Sequence, residues 1–98
     1  MSPPSDSDVR QALKHPLRRR LMPIFFANRP LSPREASRLV GKPLSNVSYH
    51  IGVLVKYQFL VLHSKEPVRG TEKSYYVPNE EVIDLPLVKN LLEDPPHL

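Results

Sequence analysis

The chain has 98 residues, no cysteine, and 14 Lys or Arg against 10 Asp or Glu, a formal net charge of +4. That length makes one domain with a modest core, small enough that a second copy would help to stabilise it. Lack of cysteine rules out thiolate metal ligands and thiol redox switching, and there is no twenty-residue apolar run or signal peptide, so the sequence reads as a soluble, non-exported protein with a cytoplasmic home.

Residues 1–6 read as a disordered tail. Val9, Ala12 and Leu13, followed beyond Pro16 by Leu17, Leu21, Ile24 and Phe25, predict two short helices packed on the core. Pro23 should kink the second helix or shorten it. Within it, Arg18, Arg19 and Arg20 project about 100° apart and so serve different partners. One is expected to pair with an acid, Glu35 being the candidate, and another to be solvated.

Ser32, Pro33 and Glu35 form a capping box with a proline in the first turn. Ala36, Leu39 and Val40 give that helix an apolar face, and Gly41 stops it. Pro43 opens the next helix, which runs to about Tyr57 and buries Val47, Ile51 and Leu54 as one stripe. Ser45, Tyr49 and Lys56 point the opposite way, with Asn46 and Ser48 on the flanks. A short, hydrogen-bonding face at a helix start is what a base-reading helix needs. Ser45 reads equally as an N-cap, and His50, nearer the buried stripe, as structural or phosphate-facing.

Phe59 to Ser64 and Lys73 to Val77 predict two strands. Between them KEPVRGTE holds Pro67 and Gly70 as turn residues, with Arg69 beside the glycine. The result is a hairpin with a basic tip at 65–72. Arg69 would enter a minor groove, contact phosphate, or simply be solvated.

These segments resemble the ArsR-type winged helix-turn-helix transcriptional regulators. HPLRRRLM (His15 to Met22), LSPREASRLVGKPLSNVSYHIGVL (Leu31 to Leu54) and PVRGTEKSYY (Pro67 to Tyr76) carry the resemblance, which extends from about Ala12 to Val77. It implies a mainly α fold with a small β-hairpin, a DNA-binding domain over 7–78, and Leu44, Ser45, Ser48 and Tyr49 facing the major groove. It also implies a bacterial regulator that binds as a symmetric homodimer joined through its terminal helices. The chain departs from the family pattern at three points. Leu44 stands where a polar residue is common, Gly52 where a long polar residue is usual, and Gln58 in place of a glycine.

Residues 79–98 form an acidic C-terminal segment. Pro86 opens a helix through Leu92 carrying Leu87, Val88, Leu91 and Leu92, which covers its own domain or, the favoured reading, pairs with the first helix and its twin across a two-fold axis. The final DPPHL reads as a frayed end. Charge follows the same division: Arg10 to Lys73 holds 13 Lys or Arg and three glutamates, a balance of +10, while Glu80 to Asp94 balances at −4. The basic body suits double-stranded DNA, with binding that weakens steeply in salt.

No G-x-S-x-G, phosphate loop or H-E-x-x-H occurs, and His15, His50, His63 and His97 lack ligand spacing. No enzyme, cofactor or metal site is expected. The expected function is a sequence-specific DNA-binding transcriptional regulator. Its 44–57 helix would enter the major groove, with Lys42, Ser45, Asn46, Ser48, Tyr49, Lys56 and Arg69 as contact residues. The alternative is a winged-helix protein–protein interaction module in which Tyr49, Tyr75 and Tyr76 are contact aromatics. Any effector is unknown from the sequence.

Overall fold

The computed structural model describes residues 3–93. Six helices and one hairpin follow in the order α1 (Asp6–Ala12), α2 (Pro16–Ala27), α3 (Pro33–Val40), α4 (Leu44–Lys56), β1 (Leu60–Val68), β2 (Thr71–Pro78), α5 (Glu80–Ile83) and α6 (Pro86–Glu93). The chain is therefore mainly helical with a two-stranded antiparallel sheet. Among the described residues, no helix is long and apolar enough to cross a membrane.

The tail is shorter than the sequence suggests. Ser5 caps α1 and exchanges capping-box bonds with Asp8, so Ser5 and Asp6 belong to the helix start. Met1 and Ser2, and the DPPHL segment at the other end, lie outside the described residues. α2 begins on His15, whose Nδ1 accepts from the Leu17 amide at 3.1 Å, and it runs unbroken through Pro23 to Ala27. The expected shortening does not occur. Pro23 faces solvent, while Leu21, Met22 and Phe25 are fully buried beside it and hold the helix together. Their packing outweighs a proline cost of roughly 3 kcal/mol.

α3 has the predicted capping box, and Gly41 closes it at φ 69°. Its apolar face is narrower than expected. Ala36 and Val40 enter the core, but Leu39, about 100° around from Val40, is 55% exposed. Two residues later Pro43 is extended, with φ −57° and ψ 143°, and α4 starts at Leu44 without any side-chain cap. Ser45 is thus inside the first turn and is not the N-cap. Val47, Ile51 and Leu54 are buried as the spacing predicts, and His50 joins them at 9% exposure.

α4 ends in a two-bond C-terminal motif. The Gln58 amide donates to the Val55 carbonyl at 3.0 Å and the Phe59 amide to that of Leu54 at 2.8 Å. Gln58 adopts the left-handed conformation at φ 68° that a glycine usually supplies. The turn keeps its form, and the side chain bears the strain. Phe59 and Leu60, both fully buried, then anchor the hairpin under α4.

The hairpin is longer than its apolar residues indicate. Lys65 pairs with Ser74, Glu66 with Lys73, Pro67 with Glu72 and Val68 with Thr71, leaving only Arg69 and Gly70 as the turn. Pro67 is a strand residue, not a turn residue. Strand β1 has a free outer edge, where a missing amide costs little. His63 forms a bulge between Leu62 and Ser64. On the other edge of β2, Leu31 and Tyr76 exchange backbone bonds of 3.1 and 2.9 Å, which ties the hairpin to the start of α3.

α5 has no counterpart in the sequence reading. Asn79 caps it by accepting from the Glu81 amide at 3.3 Å, Val82 and Ile83 are buried, and Glu80 pairs with Arg29 at 3.0 Å. α6 inserts Val88 into the common core and packs on α1 and α2. Of its four apolar residues only Val88 is buried, while Leu87, Leu91 and Leu92 are half-buried against the core of their own chain.

Candidate nucleic-acid interface

The helix α4 presents two faces. Inward, Val47, Ile51 and Leu54 fix it to the core; outward, Ser45, Tyr49, Gly52 and Lys56 recur at helical spacing along one side. All seven contact residues expected from the sequence, Lys42, Ser45, Asn46, Ser48, Tyr49, Lys56 and Arg69, are exposed. Tyr49 is 67% exposed, unusual for a large aromatic side chain held on a rigid helix. No residue of α4 is acidic. Gly52 sits mid-helix at a cost of about 1 kcal/mol relative to alanine.

Beside α4 runs a concave crevice of about 560 Å³, bounded by the first turn of α3, the start of α4 and the hairpin. Arg34, Leu44, Ser48, Arg69, Thr71, Lys73 and Glu72 line it. It brings together Ser48 and Arg69 from the expected set, and also Leu44. Lys42, Ser45, Asn46, Tyr49 and Lys56 lie outside its lining.

Arg34 and Lys73 are not among the contact residues expected from the sequence. Arg34 follows the capping-box proline, and Lys73 pairs with Glu66 across the ladder, so each was visible in the sequence only as a charge.

Arg69 is held at the hairpin tip with φ 47°, next to Gly70 at φ 83°. Two successive positive-φ residues make the tight turn that matches strand twist. A non-glycine residue there costs roughly 1 kcal/mol. Arg69 is exposed and forms part of the crevice wall. Lys56 and Lys73 lie over aromatic rings, 5.6 Å from Tyr57 and 5.3 Å from Tyr75, with Lys56 exposed and Lys73 half-buried.

Beneath α4 is a buried cationic junction. Arg18 is 7% exposed yet contacts no carboxylate among the described residues. Its Nε donates to the Ala12 carbonyl, its Nη2 to that of Gln11 at 3.1 Å, and its Nη1 to His50 Nδ1 at 3.0 Å. A guanidinium only donates, so Nδ1 accepts and His50 carries its proton on Nε2. The carbonyl end of α1 stabilises the cation in place of an acid.

The expected pairing with Glu35 is therefore replaced. Glu35 accepts instead from the Ser32 hydroxyl at 2.8 Å and the Ser32 amide at 3.1 Å, and these bonds hold its pKa below the ordinary 4.5. Arg19 donates to the Leu13 carbonyl at 2.6 Å and Arg20 to that of Val40 at 3.5 Å, so the three arginines do serve separate partners.

Burial pulls His50 below the ordinary imidazole value of 6.5, and the adjacent His15 and Arg18 push in the same direction. The His15 ring lies 4.2 Å from that of His50. His50 is thus a neutral structural residue joining α4 to α1 and α2. It positions the outer face of α4 without belonging to it. No model of a known protein family matches the chain, and no curated protein matches it in sequence.

Proposed function

We propose that the chain is a winged helix-turn-helix DNA-binding regulator of the ArsR-like kind that its sequence resembles, with α3 and α4 as the helix-turn-helix and the hairpin as the wing. The observation that supports it most is the acid-free, hydrogen-bonding outer face of α4 lying beside a crevice that carries Arg34, Arg69 and Lys73. Ser45, Asn46, Ser48 and Tyr49 would meet base edges in the major groove, which is about 12 Å wide and admits a helix. Lys42, Lys56, Arg34, Lys73 and Arg69 would neutralise phosphates, and each such contact steepens the salt dependence by about one unit of slope. A homodimer on two half-sites about 10–10.5 base pairs apart, in a cytoplasmic regulator, is part of the proposal. Sedimentation tests it separately.

Two substitutions test the assignment of roles. Tyr49→Ala should reduce the preference for a selected duplex over a scrambled one by about 1–3 kcal/mol, the range for a lost base contact. Unchanged discrimination would remove Tyr49 from the reading face. Arg69→Ala should weaken all duplexes alike if it holds phosphate, and alter preference if it reads minor-groove shape. The second reading, a protein-interaction module, is favoured by exposed Leu39, Val61 and Leu62, at 55%, 39% and 47%. It takes first place if the protein binds no duplex at low salt.

A further inference from the structure

Gly52 has no explanation inside its own chain. Unlike Gly41 and Gly70, it is not at positive φ. A Cβ at this position would meet nothing within 4 Å, so no neighbouring group requires the hydrogen. The residue is exposed in the middle of a 13-residue helix, where alanine would be better tolerated by the backbone. Nothing among the described residues accounts for the missing side chain.

We propose that Gly52 is the point where the sugar–phosphate strand of duplex DNA passes against the backbone of α4, so that a hydrogen in place of a side chain lets the helix seat fully in the groove. This rests on the DNA reading above. Gly52 lies seven residues beyond Ser45, about 10 Å along the helix axis. With the helix start among base edges, a groove about 12 Å wide brings its sugar–phosphate wall to Gly52. Lys56 stands one further turn out, about 6 Å along the axis, on the same side. Its ammonium then meets the phosphates of that wall. A second copy packed α4 against α4 would set Lys56 against like charge, with no acid on α4 to offset it. A polyanion meets the opposite sign.

The test sets stability against binding. Gly52→Ala and Gly52→Gln are compared with wild type by thermal denaturation, and by titration of a duplex that the wild-type protein enriches from a random pool. Alanine should raise the melting temperature by about 4 °C and weaken binding to that duplex by about tenfold, with glutamine weakening it more. A raised melting temperature with unchanged affinity would overturn the proposal while leaving the DNA reading intact. Unchanged affinity together with lost self-association in sedimentation would assign this face to a second copy and overturn it also. If the wild-type protein enriches no duplex, the DNA reading fails and the proposal fails with it.

Discussion

Helices α3 and α4 are joined by three residues, yet they are finished very differently. α3 satisfies its first turn with a reciprocal Ser32–Glu35 capping box and closes on a glycine in its preferred left-handed conformation. α4 starts without a side-chain cap, carries a glycine at mid-length, exposes Tyr49, and ends on a glutamine at φ 68°. In α3 the local choices serve the fold. On the outer face of α4 and at the hairpin tip they do not, and departures of this kind concentrate where a protein contacts something else.

The largest effect expected is on the inward face of α4. Leu54→Ala, at a fully buried position, should cost about 2–5 kcal/mol in chemical denaturation through lost contacts and a cavity. Tyr49→Ala, one turn away on the outer face, should change stability by less than about 0.5 kcal/mol. Equal losses at the two positions would erase the distinction between the faces.

Next is the α3 cap. Ser32→Ala removes a hydroxyl, 1% exposed, that accepts from the Glu35 amide and donates to the Glu35 carboxylate. It should cost about 1–2 kcal/mol, read as a lower denaturation midpoint. A neutral result would mean that α3 is held by packing alone.

The two non-glycine residues at positive φ sharpen the contrast. Gln58→Gly and Arg69→Asn should each stabilise the fold by roughly 1 kcal/mol, because glycine and asparagine adopt the left-handed region more readily. Only Arg69→Asn should also weaken duplex binding. Gln58 strain is a cost of joining α4 to the hairpin, whereas Arg69 strain carries a cation at the tip. Equal binding by the two variants would deny that difference.

The buried junction predicts a pH response. His50 titrates below its unfolded value of 6.5 in the folded state, so the unfolded chain takes up the proton first. Its stabilising contribution is complete above pH 6.5 and declines as pH falls toward the lowered folded value. Arg18 and His15 from α2 and its cap, with Tyr49 on α4 itself, face the ring from the elements around it. Glu35 acts the same way at lower pH: its contribution is full above its unfolded value of 4.5 and is lost as pH falls through the lowered folded value. Denaturation midpoints between pH 7.5 and 5.5 should fall for wild type, and fall less for His50→Gln. An equal decline in both would assign the response to another group.

Much of this organisation is legible in the residue order. Ser32 to Glu35, Gly41, and the Val47–Ile51–Leu54 stripe announce α3, its end and the seating of α4, because caps and apolar spacing are local signals. The full length of the hairpin is not legible, because Lys65, Glu66 and Pro67 are poor strand formers that the ladder nevertheless holds. α5, four residues long, is too short to show a period.

Pro23 does not end α2, because the packing of Leu21, Met22 and Phe25 outweighs a local rule. The Arg18–His50 junction joins residues 32 apart through two backbone carbonyls and a ring nitrogen, and no local pattern signals such a contact. Of the candidate interface, the α4 residues follow from helical spacing, whereas the inclusion of Arg34 and Lys73 in one crevice with Ser48 depends on how the hairpin folds back toward α3.

The most direct test of the central claim is a fluorescence-anisotropy titration of the wild-type protein against a pool-selected duplex and a scrambled duplex of equal length, each at about 50 mM and about 200 mM salt. A regulator that reads sequence with α4 should prefer the selected duplex by at least about 4 kcal/mol and lose affinity for both as salt rises. Equal, salt-sensitive binding to the two duplexes would reduce the α4 face to a basic surface. No binding to either at low salt would contradict the DNA reading outright.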